Sequence, residues 1–94
     1  MKKFNLKNKF ALITGAAGLL GIEHAHSLLE CNSNVILTDI DLKSLRHKQD
    51  ILRKEYNSNV VIYEMDVTKL ESIKKVFKAL KRKNISIDIL INNA

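Results

Sequence analysis

The stretch Ile13-Thr14-Gly15-Ala16-Ala17-Gly18-Leu19-Leu20-Gly21 spaces three glycines evenly through an otherwise apolar run. A lysine-rich start, Met1 to Lys9, precedes it. Two readings compete for it. As the apolar centre of a secretion leader, it would follow a basic start and lead to a small-residue cleavage site. As a turn between a strand and a helix, it would let the main chain approach an anion closely, each glycine removing a side chain that would collide. Regular glycines weaken a leader helix, and the chain on either side of the stretch favours the turn.

Working outward, Phe10 to Thr14 is a short continuous apolar run, the pattern of a strand buried on both faces. From Leu19 the period becomes helical, with Leu19, Ile22, Ala25, Leu28 and Leu29 near one face, until Asn32-Ser33-Asn34 breaks it. Val35 to Asp39 reads as a second buried strand. Asp41 can cap a helix running to about Tyr56, with Leu42, Leu45 and Leu52 inward and Ile51 beside them. The triplet Asn-Ser-Asn recurs at 57–59 as a second stop. Val60 to Val67 reads as a third strand. Thr68, with Glu71 three positions on, spells a capping box for a helix with a buried stripe of Leu70, Ile73, Val76, Phe77 and Leu80. Ile87 to Ala94 reads as a fourth strand. The order is βαβαβαβ. Because every connection is a helix, the strands should be parallel with right-handed crossovers, an α/β fold.

Ninety-four residues make one small domain. The formal charge of +6 invites a nucleic-acid partner. The excess sits in Lys2, Lys3, Lys7 and Lys9 and along Lys69 to Lys83, which includes Lys74, Lys75, Lys78, Lys81 and Arg82. No stacking aromatics accompany these lysines, so they read as a solvated surface and not as a nucleic-acid site. Nothing in the pattern implies a membrane partner. The single cysteine, Cys31, cannot form an internal disulfide and mildly favours a reducing compartment, so a cytoplasmic location is expected. His24 and His26 stand two apart on a helix and do not share a face. His47 lies in a charged stretch. None of the three reads as a metal ligand or a catalytic group.

In the turn, Gly15 can make the tight bend, Gly18 can bring the main chain to a pyrophosphate, and Gly21 can let the helix pack closely. The helix beginning near Gly18 offers free N–H groups and about +0.5 of an elementary charge to the anion. Such a turn needs an acid at the end of the second strand, about 20 residues further on, and Asp39 stands there. Its carboxylate can accept from the hydroxyls of an adenosine ribose and would repel a 2′-phosphate. Ile40 and Asp41 follow, and neither is a cation. NAD is therefore favoured over NADP.

With these residues in place, the chain resembles the amino-terminal part of a short-chain dehydrogenase/reductase. Four stretches carry the resemblance in the family's order: Thr14 to Gly21, Asp39, Asp66-Val67 and Asn92-Asn93-Ala94. It implies a Rossmann-type parallel sheet in strand order 3-2-1-4, a truncated three-layer sandwich. It also implies roles. Thr14, Gly15, Gly18, Leu19, Leu20 and Gly21 would hold the pyrophosphate. Asp39 would hold the ribose. Asp66 would meet the adenine amino group, with the Val67 backbone beside it. Asn92, Asn93 and Ala94 would lie by the cofactor and steady the central sheet. One spelling differs. The best-known turn of the family is T-G-x-x-x-G-x-G, whereas this one is T-G-x-x-G-x-x-G, commoner among epimerase-like relatives. The Asn-Asn-Ala ending points back to the shorter dehydrogenases.

The family's chemistry rests on a Ser and a Tyr-x-x-x-Lys pair. Tyr56 and Tyr63 have Val60 and Val67 four residues on, so neither matches, and no catalytic residue is assigned in this chain. Residues 1–94 are expected to be the cofactor-holding fragment of one domain, catalytically incomplete alone. The resemblance gives the full-length protein a small-molecule substrate, an alcohol or carbonyl compound, and a homo-oligomeric assembly. A nucleotide-sensing module without redox chemistry and a sugar-nucleotide epimerase-like relative are the competing readings. A Ser followed by Tyr-x-x-x-Lys beyond residue 94 would decide for the enzyme. The fourth strand, as an edge, would leave Ile87, Ile89, Leu90 and Ile91 uncovered on at least one side, and the isolated chain is expected to be marginal or self-associating.

Overall fold

Alternation between apolar strands and amphipathic helices produces seven elements in a computed structural model that describes residues 5–93. Lys2, Lys3 and Ala94 lie outside the described residues. The order is β1 (Phe10–Thr14), α1 (Leu19–Glu30), β2 (Asn34–Asp39), α2 (Leu42–Glu55), β3 (Val60–Glu64), α3 (Leu70–Arg82) and β4 (Ile89–Asn92). All pairings are parallel, and the sheet runs β3-β2-β1-β4, the Rossmann-type order.

Period-two alternation along the strands sorts the core into two layers. Ile13, Val35, Leu37 and Val60 face α1 and α2, where they meet Ala25, Leu29, Leu45 and Leu52. Leu12 and Ile36 face the other way, onto Val76 and Leu80 of α3. Both central strands are thus apolar on both faces, which is why Phe10–Thr14 and Val35–Asp39 read as continuous runs. Each such Leu or Ile contributes roughly 1.5–3 kcal/mol by leaving water. The one buried hydroxyl of β2, Thr38, donates to the Ile13 carbonyl at 3.0 Å and so costs little.

Helix α2 is capped as the sequence suggests: the Asp41 carboxylate accepts from the Ser44 N–H at 3.0 Å. Helix α3 is not. Its N-cap is Lys69, without a side-chain cap, because Thr68 is engaged elsewhere. The Thr68 N–H and hydroxyl both donate to the Asp66 carboxylate, at 2.9 and 2.6 Å. The capping box expected from Thr68 and Glu71 is therefore replaced by a turn centred on Asp66. That turn also ends β3 at Glu64 and not at Val67. Strand β4 begins at Ile89 and not at Ile87, since the Asp88 carboxylate takes the Phe10 N–H at 2.9 Å and clips the strand entrance.

The stripe of α3 is narrower than its sequence suggests. Val76 and Leu80 are buried, whereas Leu70 and Phe77 stand exposed. On the same face Leu90 of β4 is 63% exposed. An edge strand with an uncovered leucine is a template for association. The chain of residues 1–94 is expected to sediment as a mixture that shifts to smaller species on dilution, and Leu90→Lys to shift it to monomer. A single monomeric species at all concentrations would count against this.

Candidate functional site

The carboxyl ends of the four parallel strands gather most of the residues singled out in the sequence, as open α/β sheets do. The turn between β1 and α1 is built by its glycines. Gly15 has a φ of 61°, in the left-handed region where a side chain is strained. Gly21 is packed onto its own turn: a Cβ there would lie 2.6 Å from both the Ala16 Cα and the Gly15 carbonyl oxygen. At Gly18 a Cβ would meet only the Gly15 carbonyl oxygen, at an ordinary 3.6 Å. The three glycines thus do different things. Two are required by the fold, and the third leaves open space in front of the turn.

Helix α1 starts beyond Gly18 with no capping side chain and no acid in its first turn. Leu19, 87% exposed, and Leu20 project to solvent. An uncapped, positively polarised helix end beside an open backbone surface fits an anionic phosphate group.

Asp39 closes the turn from the side. One carboxylate oxygen accepts from the Ala17 N–H at 3.0 Å, the other from the Asp41 N–H at 3.1 Å. The main chain adds a second tie, Ala16 N–H to the Thr38 carbonyl at 3.0 Å. These bonds tie the end of β2 to the glycine turn. The Ala17 contact was not legible from spacing, because it depends on how far the turn bends back over β2.

Thr14 joins the turn to β4. Its hydroxyl donates to the Asn92 side-chain oxygen at 2.7 Å and accepts from the Asn93 N–H at 3.1 Å. The Asn93 side-chain nitrogen is buried without a partner among the described residues. Ala94 lies outside them.

Asp66 and Val67 part company. Asp66 lines a cleft of about 670 Å³ with Ile40, Tyr63 and Ser72, whereas Val67 lines one of about 330 Å³ with Thr14, Leu90 and Asn92. The Asp66 N–H is held by the Ser72 hydroxyl oxygen at 2.8 Å. The Thr68 hydroxyl, then the Thr68 N–H, hold the Asp66 carboxyl below the ordinary carboxylate range. A depressed pKa stabilises the fold above the ordinary carboxylate value, and that contribution is lost as pH falls through the lowered one. Thr68→Ala is expected to bring the Asp66 titration back up toward the ordinary range, read by NMR of the side-chain carbonyl carbon. An unchanged midpoint would show that Thr68 is not the cause.

Tyr56 lies away from the strand ends, whereas Tyr63 is near the carboxyl end of β3 and its hydroxyl is buried without a hydrogen-bond partner among the described residues. The Tyr56 hydroxyl lies 3.0 Å from His26 Nδ1, and the Tyr63 ring lies under the Lys83 ammonium at 5.5 Å. Among the described residues no helix is long and apolar enough to cross a membrane, and no group of three His, Cys, Asp or Glu side chains could hold a metal ion.

Comparison with known proteins places this geometry. The family model described as short chain dehydrogenase matches residues 9–94. A short chain dehydrogenase/reductase of Gibberella zeae is 38% identical over 90 residues, covering 96% of this chain and 33% of the relative. An NAD-dependent glycerol dehydrogenase of Listeria innocua is 36% identical over 95 residues, covering 99% of this chain and 35% of the relative. Among solved structures, the NADPH-dependent 3-quinuclidinone reductase of Rhodotorula rubra superposes with a TM-score of 0.84 at 26% identity, over 93% of this chain and 33% of that one. The chain spans about a third of the length of the curated relatives it matches.

Proposed function

Since this chain belongs to the short-chain dehydrogenase family, whose members are NAD(P)-dependent oxidoreductases, we propose that residues 1–94 form the NAD-holding, amino-terminal portion of a single dinucleotide-binding domain. When bound, the dinucleotide supplies a hydride acceptor or donor for a small alcohol or carbonyl substrate of the whole protein. The observation that carries this reading is the glycine turn tied to Asp39 through the Ala17 N–H at 3.0 Å.

Each residue then has a task. The main chain around Gly18, with the first N–H groups of α1 at Leu19 and Leu20, meets the pyrophosphate. Gly15 and Gly21 shape that surface. A carboxylate has about four lone-pair sites. Two are taken by the Ala17 and Asp41 N–H groups, which leaves two for the ribose hydroxyls. The charge beside that position disfavours a 2′-phosphate, so NAD is preferred to NADP. Asp66, with Ile40 across the same cleft, flanks the adenine, whereas Val67 lines the neighbouring cleft with Thr14 and Asn92. Thr14, Asn92 and Asn93 fix the end of β4 next to the nicotinamide half, with Ala94 following. The whole protein is proposed to be a cytoplasmic homo-oligomer: its single cysteine in this portion fits a reducing compartment, and the assembly is what the resemblance to the family implies.

The test is calorimetric titration with NAD and NADP in parallel, with thermal melts at saturating ligand. Binding at a hundredfold excess over Kd raises stability by about 2.7 kcal/mol. Tighter binding of NAD than of NADP supports the proposal. Equal or reversed affinities would overturn the NAD assignment, and no binding of either would overturn the site.

A further inference from the structure

The triplet Asn-Ser-Asn occurs twice, at 32–34 and 57–59, and stops a helix both times. An asparagine followed by serine is a substrate for intramolecular deamidation. The backbone nitrogen of the following residue attacks the side-chain Cγ, that N–C bond forms, ammonia leaves, and a cyclic imide results. Water then opens the imide to aspartate or isoaspartate. No enzyme or oxidant is needed. The attacking nitrogen must lose its proton and reach Cγ, so an N–H held in a hydrogen bond or buried is protected.

The two copies differ in this respect. Asn32 sits at a φ of 69°, and the Ser33 N–H donates to the Leu28 carbonyl at 3.1 Å. Ser33 is fully buried, and the Asn32 amide itself donates to the Asn5 side-chain oxygen. At the second copy Asn57 is exposed, and among the described residues the Ser58 N–H has no hydrogen-bond partner. Other asparagines resemble Asn32. The N–H that follows Asn5 donates to the Cys31 carbonyl, and the one that follows Asn8 to the Leu6 carbonyl. The N–H that follows Asn84 donates to the Leu80 carbonyl. The N–H that follows Asn34 donates to the Asn59 carbonyl, and the one that follows Asn92 to the Thr14 hydroxyl oxygen. Asn59 precedes a buried β-branched residue, Val60.

We propose that Asn57 is a site of spontaneous deamidation in the folded protein, and that the fold protects the identical Asn32-Ser33 pair. The product puts a negative charge just past the carboxyl end of α2, where the helix dipole disfavours it. It also lies two residues before the Asn59 N–H that donates to the Asn34 side chain at 2.9 Å, the tie between the starts of β3 and β2. An isoaspartate, with its extra backbone methylene, would pull on that tie.

The experiment is incubation of the folded chain at mildly alkaline pH, followed by peptide mapping with mass spectrometry and isoaspartate-specific methylation. A parallel sample is kept unfolded in urea. One protecting hydrogen bond of about 1–1.5 kcal/mol corresponds to about tenfold in rate. Burial of Ser33 adds to that, so conversion at Asn57 is expected to exceed that at Asn32 at least about tenfold when folded. In urea the two rates should converge, because the local sequences are nearly the same. Equal folded rates, faster conversion at Asn32, or the same preference for Asn57 in urea would each overturn the proposal. Hydrogen exchange on the same peptides checks the cause: the Ser33 N–H should exchange slowly and the Ser58 N–H fast. The reverse order would overturn it. Asn57→Gln should remove the principal product and leave the melt unchanged.

Discussion

Gly21→Ala is expected to lower Tm by about 10–20 °C, whereas Gly18→Ala leaves Tm in place and weakens dinucleotide binding at least about tenfold. The two glycines stand one helical turn apart in the same motif, yet their surroundings differ. A methyl group at Gly21 would overlap the Ala16 Cα and the Gly15 carbonyl oxygen, each at 2.6 Å. Both are backbone atoms of a turn already fixed by the left-handed Gly15 and by the tie from Ala16 to Thr38. Neither can move without disturbing β2. Overpacking of this kind costs about 3 kcal/mol, a large share of the roughly 5–15 kcal/mol that holds a domain together. At Gly18 the backbone is extended, with φ −82°, and the nearest atom to a new Cβ is 3.6 Å away. Stability should then stay within about 0.5 kcal/mol. The added methyl would stand in the open space where the pyrophosphate is proposed to approach, and NAD affinity should fall at least about tenfold, or about 1.4 kcal/mol. Thermal melts and calorimetry on both variants check the pair. A Gly21→Ala protein as stable as wild type would sink the packing argument, and a Gly18→Ala protein with full NAD affinity would sink the proposed phosphate position.

That contrast shows what the sequence could and could not disclose. Element order, strand direction and the two central strands follow from periodicity, because burial on both faces leaves no other composition for Phe10–Thr14 and Val35–Asp39. The Asp41 cap was legible because capping is local. The Thr68 cap was equally local and still failed. Asp66, two residues upstream, offers a charged acceptor that outcompetes the helix end for the Thr68 N–H and hydroxyl. The pattern Asp-x-Thr carries that signal, and a turn of this type was the better reading of Asp66 to Thr68. Leu70 and Phe77 looked buried because amphipathicity reports which face is apolar and not how much of it a neighbour covers. The Thr14 hydroxyl meets Asn92 and Asn93 across 78 and 79 positions of chain, a contact that only the β1–β4 pairing creates. The same holds for Ala17 and Asp39, on which the second large prediction rests.

Asp39→Ala is expected to weaken NAD binding by about 10–150-fold, equivalent to about 1.5–3 kcal/mol for lost hydrogen bonds to a charged acceptor, without creating affinity for NADP. Were Asp39 only a charge that repels a 2′-phosphate, its removal should help NADP. Its geometry argues otherwise. The carboxylate braces the glycine turn through the Ala17 N–H and the β2–α2 corner through the Asp41 N–H. Removing it leaves the Ala17 N–H, which is part of the glycine turn, without its acceptor. In the proposed site both dinucleotides rest on that turn, so both should lose. Asp39→Asn separates the two effects. The amide oxygen can still accept from Ala17, while the negative charge is gone. That variant should keep the melt of the parent, lose part of its NAD affinity and gain relative affinity for NADP. Calorimetry with both dinucleotides on both variants provides the readout. If Asp39→Ala gained NADP affinity as readily as Asp39→Asn, the brace from Asp39 to the turn would be incidental, and preference would rest on charge alone.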